Sequence, residues 1–214
     1  MISDEELERR AVNLVGKTVR VLRGENKRPQ VALRRALGRL PEDPASRAAH
    51  MVVAPVLPER PDPSTERAFY AVAAMIAAQP RDARDETTGR LDPGEIDDDP
   101  DPETVVPETK RESLGAALGR AVGNGTLSES TTEARLHLLC RQDIAGVHRH
   151  LPRIITRLRA DLVPVDWVRL TIDLARWDVR RNEISKRWLQ DYYRTSYAIK
   201  AMQAKSANNG SEAP

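Results

Sequence analysis

Aromatic residues make up only 4% of the 214 residues, and the chain holds a single cysteine, Cys140. With so few rings, a core drawn from the 40% hydrophobic fraction must rest on Leu, Val, Ile and Ala. Ala and Leu favour helix, while strands draw on β-branched and aromatic side chains, so the composition points to helices. One cysteine excludes an internal disulfide framework. It lies in the run Leu136-His137-Leu138-Leu139-Cys140, where a small buried thiol is the ordinary role. No stretch reaches the roughly 18 apolar residues that span a bilayer. The N-terminal MISDEELERR also lacks the apolar centre of a signal peptide. The expected location is cytoplasmic, with no membrane engagement.

Excess charge of one sign is also missing, because the formal net charge is only +2. The total hides a strong asymmetry. Residues 1–80 carry 13 Lys and Arg against 10 Asp and Glu, residues 81–112 carry 5 against 12, and residues 113–205 carry 16 against 9. A basic C-terminal half attracts polyanions, and an acidic stretch cancels that field only within a Debye length of roughly 8 Å at physiological salt. Of the 34 basic residues 28 are Arg, a ratio that a GC-rich genome alone can produce.

Helix punctuation is frequent. Ser3 followed by Asp4, Glu5 and Glu6 is a start signal, with acids where the helix dipole favours them. Leu7, Val12, Leu14, Val15, Val19 and Leu22 supply the buried stripe as far as Gly24. A short basic helix follows Pro29, two more are expected over 45–57 and 64–79, and Pro80 ends the last. Residues 81–112 hold Asp97-Asp98-Asp99 and four prolines, and have too few bulky apolar groups to offset the entropy of ordering. They lack the turn glycine and terminal Glu of a calcium loop.

Helical signals resume at Ser113. A helix through Leu114, Ala117, Leu118 and Ala121 ends at Gly123-Asn124-Gly125. Ser128 to Cys140 is next, with a capping box at Ser130 and Glu133. Ile144, Val147, His148, Leu151, Ile154, Ile155 and Leu158 then follow the i, i+3, i+4, i+7 template, with a kink expected at Pro152. Pro164-Val165-Asp166-Trp167 opens a further helix, and a last one runs from about Glu183 towards Met202. The sequence therefore predicts an all-α protein: a bundle over 1–80, an acidic, Pro-rich flexible linker over 81–112, a bundle over 113–205 and a disordered tail over 206–214.

Signals of catalysis are sparse. His148-Arg149-His150 puts successive rings on different faces, unlike the i, i+4 spacing of a helical zinc site. There is no HExxH, no CxxC and no Gly-rich phosphate loop after a strand. Gly115 and Gly119 read as a packing groove, and Cys140 and His137 sit in an apolar run. No catalytic residue, metal or cofactor is expected.

The sharpest feature is a row of guanidiniums. Arg149, Arg153 and Arg157 stand four apart on the face opposite the apolar stripe, with about 40° of drift per step. Like charges at that spacing repel, and from Ile144 to Ala160 no acid relieves them. Such a row suits a phosphate backbone, which arginine grips bidentately. A solvated face, or stems covering the edge of the core, is the plainer alternative. Lys27-Arg28, Arg34-Arg35, Arg180-Arg181 and Lys186-Arg187 are further basic clusters, each alone an ordinary surface feature. Trp167, Trp177, Trp188 and Tyr192 lie on apolar stripes and belong to the core. Tyr70, Tyr193 and Tyr197 stay open as groups that could stack on unpaired bases.

The order of several segments resembles the CasB small subunits of type I-E CRISPR surveillance complexes. Ser113 to Ala121 is similar to their SLG-x-AL segment. A capped helix (Ser128 to Arg141), an Arg-bearing helix (Ile144 to Arg159) and a P-V-D-W turn (Pro164 to Trp167) follow. Next come a D-L-x-x-W helix (Asp173 to Trp177), the basic turn Arg180-Arg181 and W-L-x-D-Y-Y (Trp188 to Tyr193). The likeness covers 113–195 well and 26–80 loosely. It implies a non-catalytic, two-bundle helical subunit of the Cascade assembly, present in two copies beside other Cascade subunits and the guide RNA. Its basic track would hold the displaced, single-stranded non-target DNA of the R-loop. Arg34, Arg35, Arg120, Arg141, Arg149, Arg153, Arg180 and Arg181 are the implied nucleic-acid contacts, with Lys27, Arg28 and Arg157 behind them. Because guide pairing reads the sequence, backbone grip suffices. Two rival roles are a free-standing helical DNA-binding regulator and a pure scaffold whose arginines meet acidic partner surfaces.

Overall fold

The structure, a computed structural model, describes residues 2–83 and 111–210, with side chains described as far as Ser206. Most of the 81–112 linker and the end of the 206–214 tail therefore lie outside the described residues. The fold is all-α, and among the described residues there is no strand.

Helix α1 (Asp4–Arg23) starts where the sequence places it: the Ser3 hydroxyl accepts from the Glu6 amide at 3.1 Å, and the three acids fill the first turn. Leu7, Ala11, Leu14, Val15 and Val19 are buried, one stripe at helical spacing. Helix α2 (Lys27–Arg35) turns back at once, capped by Asn26. Its buried Gln30 secures that turn. The Gln30 side-chain amide donates to the carbonyls of Val21, Leu22 and Gly24 at 3.2, 3.3 and 2.8 Å. These are C-terminal carbonyls of α1 that would otherwise lack partners.

The single helix expected over 45–57 is instead three short pieces: a 3-10 turn Pro44–Ala49, α3 (His50–Val53) and a second 3-10 turn Ala54–Val56. Pro55 has no amide for the i−4 carbonyl, so the α-pattern cannot continue through it. Helix α4 (Pro63–Ala78), capped by Asp62, is buried on nearly all sides from Ala68 to Ala77 and forms the centre of the molecule. Helices α1 and α2 pack on it.

Beyond the undescribed stretch the chain re-enters at Arg111, whose Nε lies 2.6 Å from Glu8 Oε1 on α1. The Glu112 amide donates to Asp166 at 3.1 Å. Helix α5 (Leu114–Gly123) follows, then α6 (Glu129–Cys140), α7 (Ile144–Ala160), α8 (Trp167–Ala175) and α9 (Trp177–Gly210). Helix α6 is flanked by Ser128 with no side-chain capping bond, so the capping box expected at Ser130 and Glu133 is not what starts it. Pro152, where a kink is expected, lies inside one uninterrupted helix, with Leu151, Ile154 and Ile155 buried around it. Helix α9 reaches Gly210, past the point at which the tail is expected, and its backbone departs from helical geometry at Arg180.

Helix α5 lies along α9, and the fit depends on glycine. A Cβ on Gly115 would fall 1.8 Å from the Trp188 carbonyl oxygen, and one on Gly119 2.5 Å from that of Tyr192. The groove expected of Gly115 and Gly119 is filled by the backbone of α9. Helix α8 bridges to the N-terminal helices, packing on α1 and α4. The buried residues from Leu7 to Tyr192 accordingly belong to one contacting cluster. Inside it, Asp173 is only 1% exposed and receives Trp188 Nε1 at 2.7 Å and Arg187 Nη2 at 2.6 Å, with Arg169 Nε at 2.9 Å. Burial pushes its carboxyl up, against the pull of the two guanidiniums and the indole.

Candidate nucleic-acid interface

Helix α2 sets out its basic residues by phase. At 100° per residue Lys27, Val31, Arg34, Arg35 and Arg28 fall within about 120° of one another. All five are exposed, while Ala32, Leu33 and Ala36 face the core. Among the described residues Lys27, Arg28 and Arg35 have no carboxylate partner. Arg34 is partly engaged, since its Nε donates to the Ala77 carbonyl at the end of α4 at 3.0 Å.

Helix α7 presents Arg149, Arg153 and Arg157 on its exposed side, opposite Val147, Leu151, Ile154, Ile155 and Leu158. Among the described residues Arg149 and Arg153 have no ion pair. Arg157 does have one, with Asp161 at 3.4 Å just beyond the helix, so the acid-free row is two residues long rather than three. Arg159 on the same helix is not part of it. That side chain is 1% exposed, with Nε 2.6 Å from Gln79 Oε1 and Nη1 2.6 Å from the Val163 carbonyl.

At the backbone departure of α9, residues 178–183 meet the first turn of α7. They enclose a cleft of about 320 Å³ lined by Asp143, Ile144, Trp177, Asp178, Arg180 and Arg181, among others. The geometry thus brings the Arg180-Arg181 pair beside the start of the helix that carries Arg149 and Arg153. Arg181 is exposed and has no partner among the described residues, whereas Arg180 Nη1 lies 2.7 Å from Asp4 Oδ2. Asp4 also accepts from the buried Arg176 at 3.0 Å. The hydrogen bond from Arg180, ahead of that from Arg176, holds the Asp4 carboxyl below the usual range, with partial burial opposing it.

The remaining two candidates differ from each other. Arg141, just past α6, is exposed and has no partner among the described residues. Arg120 is half-buried and ion-pairs with Glu112. Sequence reasoning passed over Arg135, exposed and unpaired on α6, because that helix reads as acid-rich near its start. It also passed over Arg67 of α4. Burial lowers the pKa of that guanidinium, against the fields of Glu42, Asp143 and Asp178. An apolar helix gives no local signal for such a residue.

Two of the four histidines, and the cysteine, are held in structural contacts. His137 Nε2 is 3.2 Å from the Tyr193 hydroxyl, and His50 Nδ1 meets the Tyr70 hydroxyl. Tyr70, one of the rings left open, is 1% exposed and so offers no stacking face. Cys140 is partly buried, with Sγ 3.9 Å from the Ser185 carbonyl, and burial raises its thiol. Among the described residues no group of three or more His, Cys, Asp or Glu could hold a metal ion, and no helix is long and apolar enough to cross a membrane.

Comparison with known proteins supplies the context. The sequence profile of CRISPR-associated protein Cse2 matches residues 31–193. A chain of a solved "CRISPR RNA-guided surveillance complex" is 40% identical, with a TM-score of 0.77 over 92% of this chain and 99% of that one. A chain of a second such complex, described as pre-nicking, is 41% identical with the same TM-score, covering 92% and 98%. The crystal structure of M. ruber CasB shares the fold at 19% identity, with a TM-score of 0.64 over 86% and 95%. No curated protein sequence matches. A profile covering three quarters of the chain, with 40% identity to a structure superposable along it, shows that the chain belongs to the CRISPR-associated Cse2 family.

Proposed function

We propose that this chain is a non-catalytic small subunit of a type I-E RNA-guided CRISPR surveillance complex. It grips nucleic-acid backbone and steadies the displaced, single-stranded non-target DNA of the R-loop. Its partners in that reading are other Cascade subunits, the guide RNA and a second copy of itself, in the cytoplasm. Membership of the Cse2 family, with relatives solved inside such complexes, supports the assembly role.

The observation that carries the backbone role is the state of Arg149 and Arg153. Both are exposed, one turn apart, on a helix that has no acidic residue between Ile144 and Ala160, and neither has a carboxylate partner among the described residues. No acid among the described residues relieves their mutual repulsion, and a phosphate strand does. Lys27, Arg28, Arg35, Arg141 and Arg181 are likewise exposed and unpaired among the described residues. Strand exchange in an R-loop is close to balanced, so modest grip on the displaced strand shifts it.

A salt titration tests the reading. Binding of the purified chain to single-stranded DNA, duplex and RNA should be weak, indifferent to sequence and linear in log salt. Removing Arg149 and Arg153 should make the slope shallower by roughly 1.4, about 0.7 per phosphate on a single strand. Tight binding to one duplex sequence would establish the regulator instead, and no binding at low salt the scaffold. The scaffold has one observation in its favour, since Arg120, Arg157 and Arg180 already hold carboxylates of this chain.

A further inference from the structure

The chain has eight aromatic residues, and seven are accounted for by packing. Phe69, Tyr70, Trp167, Trp177, Trp188 and Tyr192 are buried, and Tyr193 is half-buried. Tyr197 alone stands in solvent, at 59% exposure. Leaving one ring out of water's exclusion, in a protein so short of rings, asks for a use.

Its surroundings narrow that use. From Ile184 to Ser206, α9 carries five cations and one acid, Asp191, which accepts from Ser113 Oγ at 2.6 Å. By helical phase, Lys186, Arg194, Tyr197 and Lys205 fall on one side of α9, within about 100° of one another. Lys186, Arg194 and Lys205 are exposed and have no carboxylate partner among the described residues. Two other cations are committed elsewhere: Arg187 to Asp173, and Lys200 to Glu129 at 2.7 Å. Along the helix axis Tyr197 lies about 4.5 Å from Arg194, with Lys186 and Lys205 roughly 16 and 12 Å away on either side.

The ring is also held in place. Tyr193 lies beneath it, centroids 6.0 Å apart and planes inclined by 31°. Tyr193 in turn donates its hydroxyl to Glu133 Oε1 at 2.5 Å and meets His137 Nε2 at 3.2 Å. Glu133 and Glu129, the carboxylates of α6 nearest this face, are thus bonded to Tyr193 and to Lys200. Tyr197 thus neighbours a ring that is itself held in place, while the residue stays 59% exposed.

We infer that Tyr197 is a stacking platform for an unpaired base, and that Lys186, Arg194 and Lys205 form beside it a second track for single-stranded nucleic acid. The inference rests on the backbone-gripping role proposed above and adds a different kind of contact to it. Every base has a π-face, so stacking is tolerant of sequence, and flanking cations hold the phosphates on either side.

The test uses the full-length chain and oligothymidylate in which one base is 5-iodouracil, followed over a salt series and by photo-cross-linking with peptide mapping. The cross-link should fall on Tyr197. Tyr197→Ala should weaken binding about tenfold, within the range for losing one stacked base, with the salt slope unchanged because a stack releases no counterions. Tyr197→Phe should bind like the parent, and thermal melting should show both variants folded. If Tyr197→Ala binds within twofold of the parent while the Arg149/Arg153 variant is weakened, the platform is wrong and the backbone-gripping role stands. If the parent itself fails to bind at low salt, both fall.

Discussion

Arg159 Nε donates to Gln79 Oε1 at 2.6 Å in the interior, joining the end of α7 to the end of α4. The same guanidinium reaches the carbonyls of Val163 and Ala83 at 2.6 and 2.5 Å. A buried cation bonded to these acceptors orders three chain segments at once. Deleting it strands those acceptors out of water, at about 1–3 kcal/mol for each one left unsatisfied. Arg159→Ala should therefore lower stability by about 3 kcal/mol, read by urea denaturation. Arg153→Ala, six residues away but exposed and unpaired, should change it by less than about 0.5 kcal/mol. Similar losses for the two would show that Arg159 is not the anchor described.

The contrast between these two arginines marks where sequence is legible. Spacing assigns Arg149 and Arg153 to the exposed face, because their phase opposes an apolar stripe. It gives no hint that Arg159 turns inward, since its partners come from Gln79 and Ala83, about eighty residues earlier. Nor does it show Asp161 taking Arg157, or Asp4 taking Arg180 from the other end of the chain. Helix existence was readable from caps and periodicity, as at Ser3 and along the stripe from Ile144 to Leu158. The division of 45–57 was not, because the competition between proline and the helix ladder is settled residue by residue. The role of α8 as a bridge was hidden too: its buried faces read the same whichever helices they meet.

The α5–α9 contact predicts a sharp response to one methyl group. Gly115 has no space for a Cβ, and the obstruction is the backbone of Trp188 rather than a movable side chain. Gly115→Ala should force the helices apart and cost roughly 3 kcal/mol, the upper end for overpacking. That corresponds to a melting temperature lower by about 10 °C for a chain of this length. Gly125→Ala is no control, because its φ is +71°. Ala116→Gly, on the same helix and half-buried, should cost only about 1 kcal/mol from lost helix propensity.

His148 gives the molecule an acid sensitivity. The ring is buried on α7, its Nε2 has no hydrogen-bond partner, and its pKa is pushed down to about 3, first by burial and then by the Arg67 charge. Folded, it stays neutral; unfolded, it takes a proton below its ordinary value near 6.5. The unfolded state therefore binds more protons between pH 6.5 and 3, and stability falls as pH is lowered through that window. The slope is bounded by one proton, about 1.4 kcal/mol per pH unit. His148→Leu should flatten the stability profile below pH 6.5 relative to the parent. Parallel profiles would mean that the ring already accepts a proton in the folded state.

Asp4 and Arg180 bring the two ends of the chain together in a contact that phosphate can contest. Asp4 is exposed and holds Arg176 and Arg180 at once. Arg176 keeps a second acceptor, the Ile2 carbonyl at 2.6 Å, so it remains bonded if Asp4 loses its charge. Arg180 has no such substitute, and it sits beside the unpaired Arg181 at the mouth of the cleft. Asp4→Asn should release Arg180 for an incoming strand and remove a carboxylate from its path. Affinity for single-stranded DNA at low salt should rise by about two- to fivefold, as expected for freeing one solvent-exposed pair. Arg180→Gln should abolish that gain when combined with Asp4→Asn, since no guanidinium is left to release. Unchanged affinity in Asp4→Asn would make Arg180 a latch for the N-terminus, and would leave Arg181 as the member of the pair that faces nucleic acid.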